Sequence, residues 1–238
     1  MNLQLHRNNS YNKSSSFGSG IYCTNLDYFQ KIYKKLPEMP NAGNTYTGGF
    51  HKYEWLIENA VIQQPRAATL EAYNCVVLSI INPVRKLLNL YHLSPYEGTM
   101  SRLQDIKNTI FEQAKQLKAD SKSPLEIFMT GGDSMSKDFP DENSNKLLNA
   151  LSGTINDISE KIGMTKSIIA GRKSGEIGVS VISDATENKH YLNITERFVP
   201  TSLSGIQSDF EIQDINSKDK IHSIISHNHC PYVIYDLN

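Results

Sequence analysis

Short apolar runs separated by turn residues dominate the first half of the chain, and helical spacing takes over in two later stretches. Residues 54–62 and 68–81 read as strands on either side of a turn at Gln64-Pro65-Arg66. The second run closes with Cys75-Val76-Val77-Leu78-Ser79-Ile80-Ile81 and meets Asn82-Pro83-Val84-Arg85-Lys86. Proline fixes φ and Asn-Pro favours turn initiation, so this segment predicts a reversal. Leu87-Leu88-Asn89-Leu90-Tyr91-His92 is then the returning strand. From 99 to 118, Met100, Leu103, Ile106, Ile110, Ala114 and Leu117 fall at helical spacing and predict an amphipathic helix. Leu125 to Thr130 is a short apolar strand stopped by Gly131-Gly132. Residues 143–162 predict a second helix, with Leu147, Leu148, Leu151, Ile155 and Ile158 on one side. Ile168-Ile169-Ala170, Ile177–Ser183 and His190–Ile194 read as further strands, whereas the last forty residues show no dominant period.

The ends differ from this middle. Residues 1–20 hold five Ser, four Asn and no Asp or Glu, a composition that packs poorly and predicts a disordered tail. Apolar and aromatic residues between Ile21 and Leu36 support a short helix, and Pro37, Pro40, Gly43, Gly48 and Gly49 then break the chain. The organisation expected is a polar, partly disordered extension over 1–49, a compact domain over 50–195, and a C-terminal extension over 196–238 packed on or appended to it. At 238 residues, with 39% hydrophobic residues, the chain can bury one sizeable core. Its net charge of -1 gives no electrostatic argument for nucleic acid, and no run approaches a membrane span or the apolar core of a secretory signal.

Chemistry centres on the cysteines. Cys23, Cys75 and Cys230 make an odd count without a disulfide framework, which favours a reducing compartment and at least one free thiol. Cys75 and His92 are carried by the two strands flanking the Asn82–Lys86 turn, so a hairpin would bring them onto neighbouring strands. There an imidazole can take the thiol proton and leave a nucleophile at neutral pH. A strand cysteine is more often a small buried hydrophobe, and a strand histidine a satisfied core residue. The pair alone therefore does not decide the matter.

The surrounding residues carry a resemblance. Thr69-Leu70-Glu71-Ala72-Tyr73-Asn74-Cys75-Val76, through Asn82-Pro83-Val84-Arg85-Lys86, to His92-Leu93-Ser94-Pro95 resembles the core of CheD, the bacterial chemoreceptor glutamine deamidase family. That family has a threonine six residues before its cysteine, a polar-Pro turn, and a histidine seventeen after the cysteine. Downstream, Ile127-Phe128-Met129-Thr130-Gly131-Gly132-Asp133-Ser134-Met135 is similar to its strand leading into Gly-Gly-x-x-Met. Ile168-Ile169-Ala170-Gly171-Arg172 is similar to the closing section, and His51-Lys52-Tyr53-Glu54 stands where the family has a His-Pro-Gly-Glu-like entry. The resemblance covers about residues 50–195. Tyr73-Asn74 replaces the family's Gly-Ser, and Leu88-Asn89-Leu90-Tyr91 replaces Gly-Gly-Met-Ala. Cytotoxic necrotizing factors pair Cys and His similarly on a comparable sheet framework.

The resemblance implies an α/β fold of layered, packed mixed β-sheets flanked by helices. It also implies a protein-glutamine deamidase that works without a cofactor. In that reading Cys75 is the nucleophile and His92 the acid and base. Thr69 orients His92 or holds a backbone group or water, while Asn74 and the Cys75 N–H serve the oxyanion and Tyr73 narrows the approach. The partner expected is a protein presenting a glutamine, either a host protein reached by a secreted bacterial effector or a chemoreceptor in the bacterial cytoplasm. The altered residues around the site and the two extensions favour the effector, made in the bacterial cytoplasm and exported to the host. Methylesterase activity on receptor glutamyl esters accompanies the chemotaxis alternative. A non-catalytic binding module, and a cysteine protease or transglutaminase-like acyltransferase using the same thioester, complete the alternatives.

Two other features bear on function. Gly131-Gly132 lacks the Lys-Ser/Thr or GxGxxG of a phosphate cradle, so a turn supporting the site wall is the expectation. His222, His227, His229 and Cys230 are irregularly spaced for zinc, which leaves a surface loop as the default and no metal expected. Lys and Arg are dispersed, without a basic stripe for nucleic acid.

Overall fold

Two β-sheets face each other across an apolar interior, and helices cover their outer faces, in the computed structural model of the chain. The residues described are 20–24, 26–35, 60–72, 74–119, 121–132, 142–172, 177–196, 208–214, 220–226 and 233–236. The chain runs through β1 (Gly20–Thr24), α1 (Leu26–Lys35), β2 (Ala60–Gln64), β3 (Arg66–Ala72), β4 (Val76–Asn82) and β5 (Leu87–Leu93). Then come α2 (Glu97–Ser101), α3 (Leu103–Lys118), β6 (Leu125–Gly131), α4 (Glu142–Lys161) and β7 (Met164–Arg172). It closes with β8 (Ile177–Asp184), β9 (Lys189–Glu196), β10 (Ser208–Asp214), β11 (Lys220–Ser226) and β12 (Val233–Asp236).

One sheet has the order β12-β1-β9-β8-β3 and the other β11-β10-β7-β6-β4-β5-β2. Both are mixed, since β1 pairs parallel with β9 and β6 parallel with β7 while the other pairings are antiparallel. The protein is therefore of the α/β class. Period-two alternation explains the layering. Val77, Ile81, Leu88, Leu90 and Phe128 of the larger sheet meet Ala67, Val179, Val181 and Leu192 of the smaller one. The alternate residues Val76, Leu78, Ile80, Tyr91 and Met129 turn outward and pack on Ile106, Ile110 and Leu117 of α3 and Leu147, Leu151 and Ile155 of α4. Because both faces of β4 are covered, it reads as an unbroken apolar run rather than an alternating one. Burying each such side chain contributes about 1.5–3 kcal/mol relative to leaving it in water. The far side of the smaller sheet packs Ala68 and Ile182 against Phe29 of α1.

The reversal expected at Asn82–Lys86 is a hairpin turn held by side chain and backbone. Asn82 Oδ1 accepts from Val84 N at 3.1 Å and Arg85 N at 3.0 Å, and Lys86 takes a φ of 55°. Asn82 Nδ2 and Arg85 Nη1 both donate to Leu117 O, at 2.9 Å each, so the turn also caps the end of α3. The two helices stand where the spacing puts them. The first is divided, because Arg102 (φ −113°, ψ 16°) steps out of helical geometry between α2 and α3.

Two expectations need correction. The run 68–81 is not one strand. β3 ends at Ala72 in the smaller sheet and β4 begins at Val76 in the larger. The short helix expected between Ile21 and Leu36 is α1, and Gly20–Thr24 before it is a strand between β9 and β12. Finally, the stretch after 195 is woven into both sheets, with β10 and β11 beyond β7 and β12 beside β1. Residues 1–19, where a disordered tail was expected, lie outside the described residues, as do the strand residues 54–59.

Candidate active site

Two sheet crossings build the site. The chain leaves the larger sheet after β2, at Pro65, and lays β3 in the smaller sheet over β5 before returning to β4. That path carries Thr69 in the smaller sheet to a point facing His92 in the larger one. Thr69 Oγ1 and His92 Nδ1 are 2.5 Å apart and both residues are buried. A single hydrogen bond thus ties the sheets together at the imidazole.

Cys75 lies one residue before β4. In the antiparallel register Val76 is opposite Leu93 and Val77 opposite His92, so His92 and Val77 project from the same face. Cys75, two residues before Val77, shares that face and packs against the inter-sheet cluster. Cys75 and His92 are therefore diagonal neighbours on adjacent strands. Such positions are about 7–8 Å apart at Cα, within reach of an imidazole. Cys75 itself is only partly buried, whereas His92 is buried.

Burial fixes the charge of the imidazole. Desolvation penalises the cation and pushes the His92 pKa down to about 4, so it is neutral at pH 7. It can then accept a proton, and Thr69 decides from which side. When Nδ1–H donates to the hydroxyl, the lone pair on Nε2 is available; when the hydroxyl donates, Nε2 carries the proton.

The backbone around Cys75 is held on three sides. Gly132 N donates to Cys75 O at 2.8 Å, Ser144 Oγ in the first turn of α4 donates to Asn74 O at 3.0 Å, and Cys75 Sγ donates to Asn74 Oδ1 at 3.7 Å. Gly131-Gly132 is required by this arrangement. At Gly131 φ is +85° and a Cβ would come within 2.3 Å of Cys75 O; at Gly132 φ is +77° and a Cβ would meet Leu148 Cδ1 at 2.6 Å. The glycines let the end of β6 close against Cys75, and Ser144 brings the first turn of α4 against Asn74.

Of the residues singled out in the sequence, Thr69 and His92 are joined by one hydrogen bond and Asn74 and Cys75 by another, and the strand register puts Cys75 and His92 on one face. Tyr73, His51 to Glu54, and Ser134-Met135 lie outside the described residues. Cys23 is in β1, and His222 is in β11 while His227, His229 and Cys230 lie outside the described residues. Among the described residues no cluster of His, Cys, Asp and Glu is arranged to hold a metal. A cavity of about 330 Å³ lined by Phe111, Lys115, Lys118 and Lys161 lies at the opposite end of α4 from Ser144 and does not serve Cys75.

The sequence reading missed Ser144, because a serine opening a helix looks like an ordinary first-turn residue. It also missed a second buried imidazole. His190 Nδ1 is 2.9 Å from Ser183 Oγ, its ring stacks on Phe128 at 4.6 Å, and burial pushes its pKa down to about 3. No family model matches the chain, and no curated protein matches it by sequence. The described residues themselves therefore carry the functional reading. Among them, no helix is long and apolar enough to cross a membrane.

Proposed function

We propose that the protein is a CheD-like protein-glutamine deamidase in which Cys75 is the nucleophile and His92 the acid and base. The observation that carries this reading is the buried Thr69–His92 hydrogen bond, which orients an imidazole on the strand beside a partly exposed cysteine. A buried imidazole needs a hydroxyl partner in any role, as His190 has in Ser183, and what distinguishes His92 is that its strand lies beside the one that Cys75 precedes. The neutral state of His92 suits it to take a proton as the reaction begins.

In the productive tautomer Nδ1–H donates to Thr69 Oγ1 and Nε2 faces the thiol. The thiol proton passes to Nε2 as sulfur attacks the carboxamide carbon of a glutamine side chain. The tetrahedral oxyanion is met by the Cys75 backbone N–H, with Asn74 beside it. His92 returns the proton to the departing nitrogen, ammonia leaves, and a thioester to Cys75 remains. Water then attacks the thioester, His92 takes its proton, and the carbon–sulfur bond breaks to give glutamate and the free thiol. Glutamine and water are consumed, glutamate and ammonia are made, and no cofactor enters.

The substrate proposed is a glutamine on a protein. Tyr73-Asn74, at the position where the resembled family carries Gly-Ser, favours a host protein met by an exported effector over a chemoreceptor in the bacterial cytoplasm. Incubating candidate proteins of both kinds with wild type, Cys75→Ala and His92→Ala, followed by intact-mass spectrometry, tests the reaction. A gain of about 1 Da per modified glutamine with wild type alone supports deamidation, whereas cleavage fragments or a larger adduct point to another use of the thioester. Retained activity in Cys75→Ala would remove the nucleophile.

A further inference from the structure

The cavity at the far end of α4 takes no part in the chemistry at Cys75, yet its lining is of two kinds only. Phe111, Ala119 and Ile162 form an apolar part, and Lys115, Lys118 and Lys161 supply the rest. Among the described residues no carboxylate lines it. Its volume of about 330 Å³ stands at the lower end of small-molecule pockets, about 300–1,000 Å³.

The ordinary use of lysines in such a place is to meet the last carbonyls of a helix, and both α3 and α4 end here. Those carbonyls are already met. Leu117 O accepts from Asn82 Nδ2 and Arg85 Nη1, Gln116 O from Ala119 N and Arg85 Nη1, and Lys118 O from Ser121 N. At the end of α4, Ile158 O accepts from both Ile162 N and Gly163 N. Of the three lysines, Lys118 alone is used on a carbonyl, donating to Ile162 O and so joining the two helix ends.

The other two ammonium groups are held loosely. Lys115 is 3.5 Å from Glu112 and Lys161 is 2.8 Å from Asp157, both pairs on the exposed surface, where an ion pair contributes about 0–1 kcal/mol. An ammonium has three N–H donors, so each lysine keeps donors to spare beside a lining that offers no side-chain acceptor. Lys161 Nζ lies 5.7 Å from the centre of the Phe111 ring, which sets positive charge directly against the apolar part. Glu112, Asp157 and Glu160 neighbour these lysines without entering the lining, so the attraction for an anion is local to the cavity. A phosphate monoester brings a charge of about −1.5 to −2 and three acceptor oxygens, which suits three ammonium groups better than a single carboxylate does.

We propose that this cavity is a binding site for a small phosphate monoester, its phosphate held by Lys115, Lys118 and Lys161 and its apolar body laid against Phe111 and Ile162. The site is separate from Cys75 and does not depend on the reaction there.

The test is an NMR titration of the full chain with phenyl phosphate, inorganic phosphate and phenylacetate at pH 7. The proteins compared are wild type, the double variant Lys115→Gln/Lys161→Gln, and Lys146→Gln. Phenyl phosphate is expected to saturate one site, to shift the Phe111, Ala119 and Ile162 signals, and to bind with a Kd below about 1 mM. The double variant should weaken it about tenfold or more, as loss of charge-assisted hydrogen bonds does. Both lysines are exposed, so the fold should survive their exchange. Lys146→Gln removes a positive charge from α4 outside the cavity and should leave the affinity within about twofold. Inorganic phosphate should bind about tenfold more weakly, because it leaves the apolar part uncovered. Absence of saturable shifts up to about 10 mM phenyl phosphate overturns the inference, as does an affinity indifferent to the lysine pair. An equal loss in Lys146→Gln, or inorganic phosphate binding as tightly as its phenyl ester, would reduce the site to bare cationic surface and overturn it too. Phenylacetate binding more tightly than phenyl phosphate overturns the assignment to phosphate.

Discussion

Lowering the pH from 6.5 to 5 should strip the fold of stability in a window where carboxylates are still largely ionised. The reason is two buried imidazoles. Burial pushes His92 down to about 4 and His190 down to about 3, whereas an unfolded histidine titrates near 6.5. A folded pKa below the unfolded one means that the unfolded chain takes up protons first. Their contribution is complete above pH 6.5 and is lost as the pH falls from there towards the folded values. Each histidine contributes a slope approaching about 1.4 kcal/mol per pH unit, so the pair should cost about 3 kcal/mol between pH 6.5 and 5. Against a total of about 5–15 kcal/mol for an ordinary domain, that is a large fraction. Urea unfolding followed by circular dichroism, extrapolated to water at half-unit steps of pH, measures it directly. His190→Gln should remove about half the slope. A stability that is flat across the window would refute the claim that both rings are buried and neutral.

Gly131→Ala should destabilise the protein by about 2–4 kcal/mol, from a strained φ together with a Cβ driven onto Cys75 O. It should also slow Cys75 labelling, and an alanine variant with wild-type melting and labelling would show that β6 does not close on Cys75 as described. Thr69→Val leaves His92 Nδ1 without its partner in the interior. It should lower kcat about ten- to a hundredfold with little change in KM, less than the loss in Cys75→Ala, and Thr69→Ser should recover most of it. Wild-type kinetics in Thr69→Val would make Thr69 a strand residue and nothing more.

Local signals were legible and long-range ones were not. Asn82-Pro83 announced the hairpin because the turn is built by Asn82 itself, and that hairpin sets the diagonal of Cys75 and His92. The helices followed from the spacing of Ile106, Ile110, Leu147 and Leu151, all of which are buried. What sequence periodicity cannot carry is the choice of sheet. β3 and β4 are equally good strands, and only packing decides that they belong to different sheets. The same holds for β1, whose partners β9 and β12 lie some 170 and 210 residues further on. Thr69 enters only through the resemblance to the CheD family, and that its hydroxyl meets Nδ1 across the sandwich follows from the crossing. Ser144 gave no local sign at all, since a serine opening a helix is ordinary in that place.

The central claim is that His92 activates Cys75, and comparative labelling of the three cysteines at pH 7 tests it without a substrate. Iodoacetamide modification of Cys23, Cys75 and Cys230 would be followed site by site in wild type and in His92→Gln. Cys75 is expected to react fastest in wild type and to lose that lead by about tenfold or more when the imidazole is gone. A Cys75 that reacts no faster than the other two, or that keeps its rate in His92→Gln, would contradict the account.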